Sequence, residues 1–164
     1  MRKTLLIVWH SRTGGAEQMA RAACEAARAE EDVETRLVGA AQASAEDVLA
    51  ADGYLFVCPE NLAALSGQMK EFFDRTYYPV LGRIEGRPYA ILVCAGSDGE
   101  NAVRQIARIA TGWRLKAVAE PIIVGTQAQT PEAILAAKHI PQDQLDRCAE
   151  AGAALAAGLA LGVF

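Results

Sequence analysis

Residues 5–16 read LLIVWHSRTGGA and decide the fold, because an apolar run passes through a small polar turn into an alanine-rich segment. The run at 5–9 predicts a strand buried on both faces, and residues 15–28 have helical spacing. A turn placed there offers free N–H groups, the helix dipole and hydroxyls to an anion, and glycine lets a phosphate approach closely. It predicts either a phosphate-binding loop or an ordinary turn capped by serine or threonine.

Three common phosphate motifs are absent from this turn. No Gly-Lys-Ser or Gly-Lys-Thr follows it, so it is not a Walker loop. It does not have the G-x-G-x-x-G spacing of dinucleotide-binding folds. It lacks the cysteine that would attack phosphate in a cysteine-dependent phosphatase. If the turn binds phosphate, it does so through its backbone.

Composition limits the class of protein. The chain has 164 residues, 52% of them hydrophobic, and a net charge of −4. These values predict a single globular domain over residues 1–164 and argue against a nucleic-acid partner, which needs clustered basic residues. The apolar stretch at the amino end is too short for a signal peptide, and the apolar tail at 153–164 is too short for a membrane span. We expect a cytoplasmic protein.

The four cysteines do not form a recognisable metal or dithiol motif. Cys24, Cys58, Cys94 and Cys148 have no C-x-x-C spacing, so no metal site is expected. Apolar neighbours predict buried, reduced thiols. Cys58 and Cys94 fall at the ends of predicted strands, so a position near a ligand stays open for them.

Strand and helix patterns alternate along the whole chain, which predicts an α/β fold with a parallel sheet. Pro59 is expected to end the third strand and Pro79 the third helix. In such sheets, ligands bind beyond the carboxyl ends of the strands. The predicted strands cover residues 5–9, 33–38, 54–58, 89–95 and 116–124, the last irregular near Pro121. The predicted helices cover 15–28, 45–51, 67–78, 99–113 and 142–161, with one further turn near 132–138.

Polar loops follow the first, third and fourth strands. They are residues 11–16 (SRTGGA), 59–67 (PENLAALSG) and 95–101 (AGSDGEN). The segment 66–75, SGQMKEFFDR, is similar to the helix after the third strand of the flavodoxin-like family. Residues 59–61 resemble the Pro-Glu-Tyr-Asn turn of its FMN reductases. In this order the motifs resemble flavodoxin-like FMN-binding proteins, most closely the NAD(P)H-dependent FMN and quinone reductases of the tryptophan-repressor-binding-protein type.

The resemblance implies a three-layer α/β sandwich, with a five-stranded parallel sheet in the order 2-1-3-4-5 and helices on both faces. It also implies a bound FMN that carries the chemistry, so that no side chain is catalytic. The residues that would wrap the FMN phosphate are Ser11, Arg12, Thr13, Gly14, Gly15 and Ala16. Those that would border the isoalloxazine ring are Pro59, Glu60, Asn61, Leu62 and Ala63. Those that would close over its other side are Gly96, Ser97, Asp98 and Gly99.

The chain departs from this family at several positions. Ala16 stands where many relatives have threonine, which removes one hydroxyl donor and predicts weaker phosphate binding. Leu62 and Ala63 stand where relatives often carry an aromatic residue, so the flavin face is either more open or covered by a partner subunit. Arg12 either contacts the phosphate or faces solvent.

Three further residues near the loops have more than one interpretation. Glu60 lies either beside the ring, where its charge would disfavour a reduced, anionic flavin, or in solvent. Asp98 is expected to cap the fourth helix. His10, at the end of the first strand, is expected to be structural.

The resemblance implies an oxidoreductase that passes electrons from NADH or NADPH through FMN to a quinone or similar small acceptor. The alternative is a flavodoxin-type electron carrier without NAD(P)H turnover of its own, although carriers are usually more acidic than this chain. A non-enzymatic binding module on the same fold is a third class. The family implies a homodimer or homotetramer. The spacing Gly158-x-x-x-Gly162 permits close helix contact between subunits, but packing within the chain explains it equally well.

Overall fold

The computed structural model describes the entire chain, residues 1–164. The strands are β1 Lys3–Trp9, β2 Val33–Gly39, β3 Gly53–Asn61, β4 Ala64–Leu65, β5 Pro88–Ala95, β6 Lys116–Ala117 and β7 Ile122–Gly125. The helices are α1 Gly15–Ala27, α2 Ala45–Ala50, α3 Gly67–Val80, α4 Glu100–Gly112, α5 Pro131–Leu135 and α6 Gln142–Leu161. No helix is both long enough and apolar enough to cross a membrane.

The main strands form a parallel sheet in the order β2-β1-β3-β5, continued at one edge by β6 and β7. Both edge pieces pair with β5, so they are the two halves of the predicted fifth strand. The interruption between them contains Pro121, which has no N–H to donate to the ladder. The predicted parallel order is therefore confirmed, with a broken edge strand and one short antiparallel strand, β4, added beside β3.

The expectation that Pro59 ends the third strand was wrong, because β3 continues to Asn61. Val57 accepts a hydrogen bond from the N–H of His10, so its backbone faces β1. The backbone groups of residues two apart in a strand face the same neighbouring strand, so those of Pro59 also face β1. That strand has already ended at Trp9. No donor is needed there, and the strand continues until Glu60 and Asn61 pair antiparallel with β4.

Two helix boundaries also differ from the predictions. Pro79 does not end α3, which runs on to Val80 and closes with the N–H of Leu81 bonded to the carbonyl of Tyr78. The turn expected near 132–138 is α5, which begins one residue earlier, at Pro131, and ends three residues earlier, at Leu135. Its start is set by Pro131 in the first turn and by Thr130, whose hydroxyl accepts the N–H of Ala133 at 3.2 Å.

The sheet separates two apolar cores. One lies against α2, α3 and α4 and includes Phe56, Phe73 and Trp113. The other lies against α1 and α6 and includes Ile7 and Met19. Because β1, β3 and β5 contribute side chains to both cores, their sequences are continuous apolar runs rather than alternating ones. The helix layers leave the carboxyl ends of these strands free for the loops.

The last helix packs unusually close to α1. Gly152 lies against the backbone carbonyl of Ala23, where any Cβ would collide. Gly158 is covered by the ring of Phe164 from the chain's own tail, and Gly162 ends α6 in a left-handed conformation with φ of 65°. The glycine spacing noted in the sequence is thus used inside the chain.

Candidate functional site

The loop after β1 presents unpaired N–H groups to solvent. The Ser11 hydroxyl accepts the N–H of Gly14 at 3.0 Å, which folds the loop into a tight turn and uses one oxygen that was expected to face a ligand. Gly14 has φ of 96° and precedes the first residue of α1. The N–H groups of Arg12 and Thr13 have no acceptor in the protein, and the first N–H groups of a helix have none within it.

Gly15 and Ala16 serve the packing of this loop. A Cβ on Gly15 would lie 2.7 Å from the Cys94 sulfur, so the glycine lets the loop rest on the end of β5. Burial raises the pKa of the Cys94 thiol to about 11, so it stays protonated. Ala16 is 1% exposed and belongs to the α1–α6 core. Both residues therefore pack against the interior of the protein and support the loop from that side.

The end of the 126–141 segment is fastened to this loop, which the sequence did not predict. The Lys138 N–H donates to the Thr13 carbonyl at 2.8 Å. The Gln18 amide donates to the carbonyls of Gly14 at 2.9 Å and Lys138 at 2.8 Å, and accepts the N–H of Ile140 at 3.0 Å. No local signal predicts the contacts of Gln18 with Lys138 and Ile140, since these partners lie 120 and 122 positions away in the chain.

The second loop is the hairpin between β3 and β4. Its two tip residues, Leu62 and Ala63, have φ of 51° and 63°, a left-handed conformation that L residues with side chains rarely adopt. Leu62 is fully exposed at 102%, and the N–H groups of both tip residues have no acceptor. Asn61 is half-buried at the base of the tip, next to half-buried Pro59. Strain of this kind is often found where a backbone contacts a ligand.

Helix α4 holds the hairpin in place. The Asn101 amide donates to the Ala63 carbonyl at 2.6 Å, and the Gln105 carbonyl oxygen accepts the N–H of Leu65 at 2.9 Å. Neither Asn101 nor Gln105 was among the predicted site residues. Their positions four apart on one helix face are the only sequence signal that links them.

The third loop is joined to the second by a carboxylate. Glu60 accepts the N–H of Gly99 at 2.7 Å, so it is neither free in solvent nor directed only at a ring. Gly99 has φ of 100° and is the N-cap residue of α4. Asp98 lies one residue earlier and accepts the N–H of Glu100 at 3.1 Å, so it contributes to the helix start without occupying the cap position.

Gly96 and Ser97 complete the third loop. The Gly96 carbonyl accepts the N–H of Gln127 at 2.7 Å, and a Cβ on Gly96 would lie 2.5 Å from the carbonyl oxygen of Ala128. The loop is therefore held tightly against the segment that follows β7. Ser97 is exposed, and its N–H has no acceptor in the protein.

His10 connects the first loop to the second. Its Nδ1 lies 2.8 Å from the hydroxyl of Ser66, which is completely buried. Burial, assisted by the positive charge of Arg12, lowers the pKa of His10 below its ordinary value of 6.5. A neutral ring bonded to a buried hydroxyl agrees with the structural role expected for His10. The Arg12 side chain itself is exposed.

All the predicted site residues lie at the carboxyl ends of the parallel strands. The loops after β1, β3 and β5 are joined by the His10–Ser66, Glu60–Gly99 and Asn101–Ala63 contacts. The first loop offers N–H donors suited to a phosphate. The hairpin and the third loop offer further exposed backbone N–H groups. These residues fit an elongated ligand with an anionic end and a planar end that has hydrogen-bond acceptors, as FMN has.

A family model and one curated protein match the sequence. Residues 17–129 match the family described as NADPH-dependent FMN reductase, a range that contains the second and third loops and begins just after the first. A protein named flavodoxin from Aquifex aeolicus (strain VF5) is 37% identical over 94 residues, which are 57% of this chain and 49% of that protein. The chain thus spans about half the length of this curated relative.

Solved structures share the fold over nearly the whole chain. A flavodoxin from the domain Archaea has a TM-score of 0.75 at 16% identity, covering 94% of this chain and 96% of that one. A WrbA-like flavodoxin from Agrobacterium tumefaciens has a TM-score of 0.72 at 16% identity, covering 98% of each chain. These likenesses confirm the predicted flavodoxin-like fold. Since the family match spans residues 17–129, more than half of the sequence, this chain belongs to the NADPH-dependent FMN reductase family.

Proposed function

We propose that the chain binds FMN at the three joined loops and passes electrons from NADH or NADPH through it to a quinone or similar small acceptor. The observation that carries the proposal is the unpaired N–H groups of Arg12 and Thr13 beside the start of α1. An anion placed there would receive backbone hydrogen bonds and the favourable end of the helix dipole. The family match supports FMN as the molecule that supplies this anion.

Each loop has a distinct task in this proposal. Residues 11–16 hold the phosphate, Leu62 and Ala63 offer N–H groups to the edge of the ring, and residues 96–99 close its other side. FMN, when bound, supplies the redox chemistry. The protein holds the ring, limits access to one face, and needs no general base of its own.

The nearby titratable side chains are held rather than free. The Glu60 carboxylate accepts the Gly99 N–H, so part of its negative charge is balanced beside the ring site. His10 is engaged by Ser66 and is neutral near pH 7. Neither residue is assigned a proton transfer.

A flavodoxin-type electron carrier is the second candidate. It is supported by the name of the Aquifex aeolicus relative, which is 37% identical over the matched residues. A carrier would bind the same FMN at the same loops but would exchange electrons with protein partners. The two candidates therefore differ in NAD(P)H turnover and not in the cofactor site.

The deciding experiment is an anaerobic visible spectrum of the purified chain with FMN, recorded before and after addition of NADH or NADPH. Flavin bands that bleach, and recover when a benzoquinone is added, support the reductase. Bands that persist with either nucleotide but bleach with dithionite support the carrier. Free FMN under the same conditions is the control for reduction without protein. A chain that takes up no FMN at micromolar concentration contradicts both candidates.

A further inference from the structure

Lys138 places a positive charge against the phosphate loop without an acidic partner. Its Nζ lies 3.2 Å from the Thr13 hydroxyl oxygen and contacts three carbonyl oxygens at the end of α5, those of Ala133, Ile134 and Ala136. No salt bridge of the chain includes Lys138. The ammonium shares its three N–H groups among these four neutral acceptors, and no carboxylate lies within salt-bridge distance of it.

The position of this lysine is fixed from its backbone as well. Its N–H donates to the Thr13 carbonyl at 2.8 Å, and its carbonyl accepts from the Gln18 amide at 2.8 Å. Lys138 is half-buried, unlike the exposed Arg12, which is the other cation near the loop. A side chain held at this many points loses little further freedom when a ligand binds.

The contact determines how the Thr13 hydroxyl is oriented. A lysine ammonium donates only, so the Thr13 oxygen must present a lone pair to it and direct its own hydrogen elsewhere. The Thr13 hydroxyl makes no other hydrogen bond in the protein. Its O–H therefore remains available beside the unpaired N–H groups of the same loop.

We propose that Lys138 is a positioning residue for the FMN phosphate, which it serves by orienting the Thr13 hydroxyl as a donor and by placing a positive charge beside the loop. The inference rests on the proposed function, since it assigns the phosphate to residues 11–16. It also compensates for Ala16, which supplies no hydroxyl. The consequence is selectivity: Lys138 strengthens binding of FMN and not of riboflavin, which lacks the phosphate.

The test compares FMN and riboflavin affinities of the full chain by flavin fluorescence titration. The variant Lys138→Met should weaken FMN binding about ten- to a hundredfold, as expected for a lost hydrogen-bonding charge, and change riboflavin binding less than about twofold. Lys138→Arg should restore most of the FMN affinity, because the charge and a donor return. The control Lys116→Met removes the same charge from β6, at the opposite end of the sheet, and should change neither affinity.

Thr13→Val supplies a second variant that keeps the lysine and the loop backbone. It should also weaken FMN binding selectively, and the effect of Lys138→Met should be smaller in the Thr13→Val background, because the two side chains act together. Equal losses of FMN and riboflavin binding in Lys138→Met would show that the lysine only fastens α5, and would overturn the inference. Unchanged FMN binding in both variants would overturn it too.

Failure of the underlying function is distinguishable in the same titration. A wild-type chain that binds neither flavin contradicts the proposed function and this inference together. A wild-type chain that binds FMN, with variants that keep its preference for FMN over riboflavin, contradicts only the role of Lys138.

Discussion

A single side-chain atom determines how closely the loop at residues 11–16 can approach the sheet. Gly15 has no Cβ, and the space where one would stand is taken by the Cys94 sulfur, 2.7 Å away. Gly67, by contrast, is also the first residue of a helix but has no neighbour within 4 Å of its Cβ position. The same residue type is thus required at one helix start and replaceable at another.

We predict that Gly15→Ala lowers the free energy of unfolding by about 1–3 kcal/mol, because the added methyl group must displace the loop or Cys94. Gly67→Ala should raise it by about 0.4–1 kcal/mol, since alanine restricts the unfolded chain without a clash. Urea unfolding of both variants and wild type measures the difference. Equal effects of the two substitutions would contradict the close approach of the loop to β5.

His10 makes the free energy of unfolding depend on pH. Burial and the charge of Arg12 lower its pKa in the folded chain below 6.5, so the unfolded chain binds the proton more readily. The contribution of neutral His10 is therefore complete above pH 6.5 and is lost as the pH falls toward the lowered value.

We predict that the wild type loses more stability between pH 7.5 and pH 5.5 than His10→Gln does. Glutamine keeps a polar group near Ser66 but does not titrate in this range. Chemical denaturation of both proteins at the two pH values measures the difference. Identical pH dependence in the two proteins would refute the lowered pKa.

At the scale of elements, the β3–β4 hairpin stores backbone strain. Leu62 and Ala63 occupy left-handed conformations that glycine would adopt freely. Ala64, the next residue, is in β4, where glycine would weaken the strand. Glycine is therefore expected to be tolerated at Leu62 and Ala63 and to be destabilising at Ala64.

We predict that Ala63→Gly leaves the free energy of unfolding unchanged or raises it by up to about 1 kcal/mol, as relief of the strain offsets the flexibility of glycine. Ala64→Gly should lower it by about 0.5–1 kcal/mol. Guanidinium denaturation of the pair provides the measurement. A larger loss for Ala63→Gly than for Ala64→Gly would rule out a strained tip.

The bond between Glu60 and Gly99 links two elements that are far apart in sequence. We predict that Glu60→Ala speeds exchange of the Gly99 amide hydrogen, because this N–H loses its acceptor. Glu60→Gln should retain most of the protection, since its carbonyl oxygen still accepts. Amide exchange followed by NMR tests this, and equal exchange in wild type and Glu60→Ala would exclude the bond in solution.

At the scale of the whole molecule, one sheet supports two cores, and each core contains a tryptophan at its margin or centre. Trp113 is completely buried on the side of α3 and α4, whereas Trp9 packs at the edge of the α1–α6 core, with the Arg21 guanidinium 5.9 Å from its ring centre. The strands β1, β3 and β5 belong to both cores. Unfolding of the helices on one face should therefore expose one side of these strands and destabilise the core on the other face as well.

We predict that the chain unfolds as a single domain, as expected from its length. In Trp9→Phe, fluorescence reports the Trp113 side, and in Trp113→Phe it reports the Trp9 side. Within each variant the fluorescence midpoint should coincide with the far-UV circular dichroism midpoint. Separated midpoints would show that the two layers unfold independently.

The sequence alone determined the type of fold. Residues 5–9, 54–58 and 89–95 are continuous apolar runs of five to seven residues, a length and pattern typical of strands buried on both faces. Helical spacing between these runs then required crossovers, and crossovers make the sheet parallel. The loops after the strands were predicted as the candidate site because parallel strands end at one edge. Which of these residues contact FMN stays a prediction.

Only the tertiary structure decided how those loops are held. Lys138 reaches Thr13 across 125 positions, and Glu60 reaches Gly99 across 39. Pro59 remains inside β3 because the neighbouring strand has already ended at Trp9. Local patterns indicate which face of an element is apolar, since that depends on residues three or four apart. They do not indicate which polar side chain bonds to which loop, because that depends on how the packed sheet brings distant segments together.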